Sequence, residues 1–253
     1  MRKIKKKKNK KRIYFVFASD NHGDMVDVEA AKELFKFCKW FKPDIKIHGG
    51  DCFDLRSIRK NANSNERNES LKEDVDAGKW FIRNYQPDVF LYGNHEDRLE
   101  QIISTTTNAL ERDACQDLMD DINRYLRKYG CKKILPYHAE KGVYSIGPVR
   151  TCHGYTCGTR AVQEHAIHYG LEGGAVLIGH LHLIMQVNAR RYKGTVGFCG
   201  GCLCMKDIMG YSKNRLNTST WGTGWLYGYV EGNNWKVWQA HKVGSKFIYS
   251  YDE

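Results

Sequence analysis

The chain has 253 residues, 42% of them hydrophobic, and carries a formal net charge of +11, a length and apolar content sufficient for one domain with a substantial core. Nine of the eleven net charges lie in the first twelve residues, which hold seven Lys, two Arg and no acid, so the remainder is close to neutral. Nine scattered cysteines exclude a dense disulfide framework and point to a reducing, cytoplasmic setting, while the absence of a long apolar run excludes a membrane span.

The tail over 1–12 is a like-charge block of the kind that is usually disordered and that can also attach DNA or RNA through counterion release. It resembles the basic start of a signal peptide, but the apolar run from Ile13 to Ala18 that follows is too short for the hydrophobic core of one. That run, β-branched and aromatic, instead predicts a buried strand delivering the polar turn Ser19 to Asp24. A helix is predicted over 26–41, where Val28, Ala31, Leu34, Phe35, Cys38 and Phe41 recur at helical spacing before Pro43. A second strand follows over 45–48.

The Asn, Arg and Ser rich stretch 56–70 reads as a long surface loop entering a helix over 71–84. Pro87 ends that helix, a third strand covers 89–92, and a further helix covers 109–128. Segments 142–146 and 148–152 read as strands around a Gly-Pro turn, 159–169 as a helix and 175–178 as a buried strand. The remainder is β in character and closes with a hairpin, 225–231 and 235–241, joined by Gly232-Asn233-Asn234. Alternating strands and helices followed by more strands predict a mixed α/β sheet system, one domain over 13–253.

Residue types that bind metals fall at the ends of these strands: Asp20 and His22, Asp51, Asn94 and His95, His153, then His180 and His182. Sites in α/β folds gather at such strand ends. Each piece alone is weak, since a lone histidine is more often packed or exposed than a ligand; five pieces in order are not. Mixed imidazole and oxygen donors suit Mn, Fe, Zn or Ni better than Ca or an all-thiolate site.

With these blocks written out as Asp20-Asn21-His22, Gly50-Asp51-Cys52-Phe53-Asp54, Gly93-Asn94-His95-Glu96, His153-Gly154 and Gly179-His180-Leu181-His182, the sequence resembles the calcineurin-like metallophosphoesterase superfamily over residues 13 to 200. The resemblance implies a four-layer α/β/β/α double β-sandwich and a dinuclear centre. Asp20, His22, Asp51 and His182 would hold one ion and Asp51, Asn94, His153 and His180 the other, with Asp51 bridging. It further implies hydrolysis by a metal-bridging hydroxide, with Mn the preferred metal and His95 protonating the leaving alkoxide.

The departure of Asp54-Leu55-Arg56-Ser57 from the Asp-Arg-Gly of serine/threonine protein phosphatases argues against that branch, as does Ser19-Asp20 in place of Gly-Asp. Compact length, a short gap from His153 to His180 and the basic tail look more like small bacterial or phage-type members. The expectation is therefore a phosphodiesterase acting on nucleic acid or a nucleotide. A phosphomonoesterase of small molecules or phosphoproteins is the alternative within enzymes, and a non-catalytic nucleic-acid-binding module the alternative outside them.

Arg56 and Arg98, with Arg59 and Lys60, follow two of the blocks and read either as solvated loop charges or as groups facing substrate phosphates, which guanidinium grips bidentately. Cys199-Gly200-Gly201-Cys202-Leu203-Cys204 reads as a packed turn, since no partner pair of Cys or His at finger spacing stands near it. His48 reads as a strand histidine, Cys52 as structural, and Trp221, Trp225 and their aromatic neighbours as sheet core rather than a base-stacking platform.

Overall fold

The structure is a computed structural model and describes residues 11–189, 194–206 and 220–249; the basic tail lies outside these apart from Lys11 and Arg12. In chain order the elements are β1 (Ile13–Ala18), α1 (Val28–Phe41), β2 (Ile45–His48), α2 (Ser64–Arg67), α3 (Leu71–Tyr85), β3 (Val89–Leu91), α4 (Asp97–Thr105), α5 (Ala109–Lys128) and β4 (Lys133–Leu135). After them come β5 (Tyr144–Ile146), β6 (Val149–Cys152), α6 (Ala161–Tyr169), β7 (Ala175–Ile178), β8 (Ile184–Asn188), β9 (Val196–Gly200), β10 (Gly224–Glu231), β11 (Asn234–Val243) and β12 (Lys246–Ile248).

Alternation along β1 sets the layers, because successive side chains of a strand point to opposite faces. Phe15 and Phe17 pack with Ile47, Val89 and Leu91 of their own sheet and with Val149, Leu177 and Phe198 of the other. Val16 and Ala18, on the opposite face, pack against Leu34 and Phe37 of α1 and Phe81 and Tyr85 of α3. The first sheet has the order β12-β11-β10-β1-β2-β3-β4 and the second β5-β6-β7-β9-β8. Val162 of α6 covers Val176, Ile178 and Cys199 on the outer face of the second sheet. Helices, sheet, sheet and helix thus stack as the α/β/β/α double β-sandwich.

Local chemistry starts and stops the helices as expected. Asp27, Ser70 and Asn108 cap α1, α3 and α5 by accepting backbone N–H bonds with their side chains. Lys42 turns left-handed at the end of α1, just ahead of Pro43. The closing hairpin turns over two residues rather than three, Glu231 pairing with Asn234 across Gly232 and Asn233. Two elements have no counterpart in the sequence reading, α4 and β4, and the loop over 56–70 holds a 3₁₀ turn at Arg56–Ile58 and the single turn α2.

The topology matters for function in one respect. Strands β1, β2 and β3 are parallel neighbours, and so are β6 and β7. Their carboxyl ends therefore open at the same edge of the sandwich. No helix among the described residues is long and apolar enough to cross a membrane.

Candidate metal centre

All eight predicted site residues come together at that edge, from loops that are stitched to one another. Asp20 N–H donates to Gly50 O and His22 N–H to Asp51 O, each at 3.0 Å, so the first two blocks run on as a short parallel ladder beyond β1 and β2. Gly93 passes so close to Asp51 that a Cβ there would lie 2.1 Å from Asp51 Oδ1. At Gly179 a Cβ would lie 2.6 Å from Asp20 Oδ2. Each glycine leaves room for a ligand carboxylate from another block. Backbone strain concentrates here too: Asp20, His22, Asp51, His180 and His182 all have positive φ, between 51° and 66°, a conformation that costs a non-glycine residue about 1 kcal/mol or more.

Hydrogen bonds fix which ring nitrogens face inward. His153 Nδ1–H donates to Gly49 O at 2.8 Å. Its Nε2 lone pair then lies 3.3 Å from Asp51 Oδ2 and 3.0 Å from Asn94 Oδ1. His22 Nδ1–H donates to Asp54 Oδ1 at 3.3 Å, leaving its Nε2 lone pair 3.1 Å from His182 Nε2. His182 Nε2 is in turn 3.3 Å from Asp20 Oδ1. With the rings deprotonated, acceptors converge on acceptors, an arrangement that a metal cation satisfies and that, without one, protons on His153 and His182 satisfy instead. Three-residue groups able to hold an ion occur at His22, Asp51 and His95, at Asp51, His153 and His180, and at His22, His182 and Cys204.

Titration points the same way. Burial opposes ionisation of Asp20, yet the hydrogen bond and charge of His182 hold its carboxyl down to about 2. Asp51 is likewise held well below the usual carboxylate range, against burial, chiefly by His153 and His95. Burial would lower His153 and His182, but His153 is pushed up to about 9 by Asp51, and His182 to about 9 by Cys202 and Asp20. The pocket stabilises positive charge at its centre, as a divalent-metal site must.

Residues outside the expected ligand set hold it in place. His95 Nδ1–H donates to the Asp54 main-chain O at 2.7 Å with Asp54 Oδ1 equally near, and the same Oδ1 accepts from His22, so one buried residue orients a candidate ligand and the candidate acid. Glu96 accepts four backbone N–H groups, from Asp51, Cys52, Phe53 and Gly93, at 2.6 to 3.0 Å. It locks the second block to the third. Asp74 does the same one step out, accepting from Asp54 N–H and Leu55 N–H. Asp54 and Glu96 stood inside the recognised blocks without a role; Asp74, on α3, carries no local signal. At pH 8, above the value of about 7 to which burial and the Asp51 charge raise Glu96, the carboxylate is ionised. Glu96→Gln then leaves buried N–H groups facing an NH₂ and is expected to cost about 3 kcal/mol, lowering the melting temperature by about 6–12 °C in a calorimetric comparison.

His48 is a core histidine as read: it stacks on Phe90 at 4.9 Å and 12°, and burial lowers its pKa to about 3. It accepts Gly50 N–H at Nδ1, so Nε2–H donates to Asn21 Oδ1 at 2.8 Å and steadies the first block. Cys52 is buried and structural, its thiol directed at Gly78 O.

A cavity of about 290 Å³ opens over the centre, walled by Asp54, Arg56, Arg59, Glu66 and Arg98 on the His95 side and by Trp221 on the other. Arg56 is held by Asp24, Asp54 and Glu69, with its side chain 11% exposed, so it braces the wall. Arg59 pairs with Glu66, and Arg98 Nη1 donates to Asp54 O. Lys60 is exposed and outside the cavity wall. The turn at 199–204 is packed, yet Cys204 reaches His22 and His182, and Trp221 leaves the sheet core to sit 4.1 Å from the His182 ring. Neither placement has a signal in sequence spacing.

The calcineurin-like phosphoesterase family profile matches residues 13–183. No curated protein sequence matches the chain. Among solved structures it is similar to PhoD, with a TM-score of 0.52 and 12% identity over 95% of this chain and 69% of that one. It is also similar to a metallophosphoesterase from Sphaerobacter thermophilus, at TM-score 0.43 and 13% identity over 90% and 87% of the two chains. A third is Yfce, a phosphoesterase from E. coli, at TM-score 0.36 and 14% identity over 89% and 96%. Identities this low speak only of fold. The sequence match, spanning most of the chain and all the blocks up to His182, decides the matter: this protein belongs to the calcineurin-like phosphoesterase family, whose members bind divalent metals and hydrolyse phosphoesters.

Proposed function

We propose that residues 13–253 form a single catalytic domain that hydrolyses phosphodiesters, with nucleic acid or a nucleotide as substrate. Two divalent transition-metal ions, Mn among them, would be held by Asp20, His22, Asp51 and His182 and by Asp51, Asn94, His153 and His180. The carrying observation is the Asp51 carboxylate, whose Oδ2 lies 3.3 Å from His153 Nε2, 3.7 Å from His95 Nε2 and 3.9 Å from His22 Nε2. Such ions supply Lewis-acid charge to phosphoryl oxygens and lower the pKa of bound water. His95, oriented by Asp54 and facing the cavity, donates the proton that the departing alkoxide needs.

Charge balance in the cavity favours a diester over a monoester. Arg56 and Arg59 already face Asp24, Asp54, Glu69 and Glu66. They offer little compensation for the second negative charge of a phosphomonoester, whereas a diester brings one. A purified-protein panel of nitrophenyl monoester, nitrophenyl diester, cyclic nucleotides, single strands and duplexes, with Mn and at two salt concentrations, tests the reading. Diester turnover at least ten times monoester turnover is expected; the reverse ratio would make the protein a phosphatase.

Metal removal is a second test. Chelation should abolish turnover and Mn should restore it, with elemental analysis giving two ions per chain; restored metal without turnover on any ester would leave a binding module. Deleting residues 1–12 should leave nitrophenyl diester turnover unchanged while flattening the salt dependence of polynucleotide binding. An unchanged salt slope would make the tail inert.

A further inference from the structure

The segment after β9 runs back along the first ligand block. Leu203 N–H donates to Asp20 O at 3.1 Å, Asp27 N–H donates to Leu203 O at 2.8 Å, and Val26 and Cys204 form an antiparallel bridge. This carries the Cys204 thiol, 1% exposed, to within 4.8 Å of ring nitrogens of both His22 and His182. His182, 3% exposed, has a buried Nδ1 with no hydrogen-bond partner, so no second bond fixes the ring whose Nε2 faces His22 and Asp20. Around a tetrahedral ion, a Zn–S bond of about 2.3 Å and a Zn–N bond of about 2.1 Å set a sulfur-to-nitrogen separation of about 3.6 Å. The sulfur therefore needs at most about 1.2 Å of adjustment to share an ion with the two rings.

We propose that Cys204 is a thiolate donor to the metal position of His22 and His182, making the two positions of the centre chemically unequal. None of the ligands implied by the family blocks is a thiol. The family blocks give the position of Asp51, Asn94, His153 and His180 only oxygen and imidazole, suited to Mn, and the thiol beside it, Cys157, is exposed with its Sγ 3.1 Å from His180 Nε2; a buried thiolate added to the two imidazoles of His22 and His182 selects a softer ion such as Zn or Fe(II). On binding, the thiol proton leaves to solvent and the sulfur lone pair forms the bond to the ion, so binding at this position releases one proton more than at the other. The inference rests on the metal-centre reading above and predicts a mixed centre.

Cobalt(II), added to the metal-free full chain under reducing, oxygen-free conditions, separates the two claims. Visible d–d bands report binding at either position, and a near-ultraviolet sulfur-to-cobalt charge-transfer band reports a thiolate ligand alone. The expected result is a charge-transfer band that saturates at one equivalent while the d–d bands grow to two. The band should disappear in Cys204→Ser and persist in Cys202→Ser and in Cys157→Ser, which removes the thiol beside His180. In the wild type, Zn should abolish the band and excess Mn should leave it, and Cys204→Ser should weaken Zn binding at this position by about 10-fold or more. Two cobalt ions without the charge-transfer band in the wild type, or a band that follows Cys202 or Cys157, would overturn the proposal and leave the metal centre standing. No cobalt bound at all would overturn both.

Discussion

Asp51→Asn is expected to bring metal content down from two ions per chain to one or none, and diester turnover down by roughly 10³-fold or more, as losing several kcal/mol of Lewis-acid stabilisation requires. The fold should survive. Asp51 Oδ1 accepts His95 N–H at 3.0 Å, a bond that the asparagine carbonyl keeps. In the metal-free wild type the Asp51 carboxylate, 3.3 Å from His153 Nε2, holds that ring protonated up to about 9, and a neutral asparagine loses this ion pair. Metal-free Asp51→Asn should therefore melt below the metal-free wild type at neutral pH while still unfolding cooperatively. Elemental analysis, kinetics and calorimetry on one preparation test this together. A variant that keeps two ions and its diesterase activity would refute the bridging role of Asp51.

His95→Asn separates acid catalysis from metal binding. His95 Nδ1–H is committed to Asp54 at 2.7 Å, so the only proton it can deliver is on Nε2, on the cavity side. A general acid is worth about 10²–10⁴-fold when the leaving group is a poor one. Turnover of a dinucleotide or methyl diester should fall by that factor, while nitrophenyl diester turnover, whose leaving group needs little protonation, falls less than about tenfold. Metal content should stay at two ions. Equal losses on both ester classes would remove His95 from the role of acid, and Asp54→Asn, which disturbs His22 as well, should lose metal affinity in addition.

The element pattern was legible where burial is local. Strands such as Ile13–Ala18 and Ala175–Ile178 are continuous apolar runs because both faces of each are covered, and α1 and α5 announce themselves by periodic apolar residues. Helix α4 and strand β4 were not, for different reasons. Only Leu99 of α4 is fully buried, and β4 exists through its pairing with β3, Phe90 opposite Ile134, rather than through its own three residues. Arg56 and Arg98 line the cavity, but the carboxylates that occupy Arg56 lie 2, 13 and 32 residues away and nothing in local spacing announces them.

The sequence by itself determined the chemistry: ordered Asp, Asn and His blocks at strand ends specify a metal-dependent phosphoesterase, since donor type and block order survive in one dimension. Tertiary structure alone decided what surrounds those donors. His22 and His182 are 160 residues apart and meet at 3.1 Å. Asp54 is shared between two imidazoles, Glu96 gathers four amides, and Cys204 and Trp221 arrive from beyond β9. Side-chain spacing along a chain fixes neighbours only over a turn or a strand, and bonding between loops depends on the register of sheets that no short motif encodes.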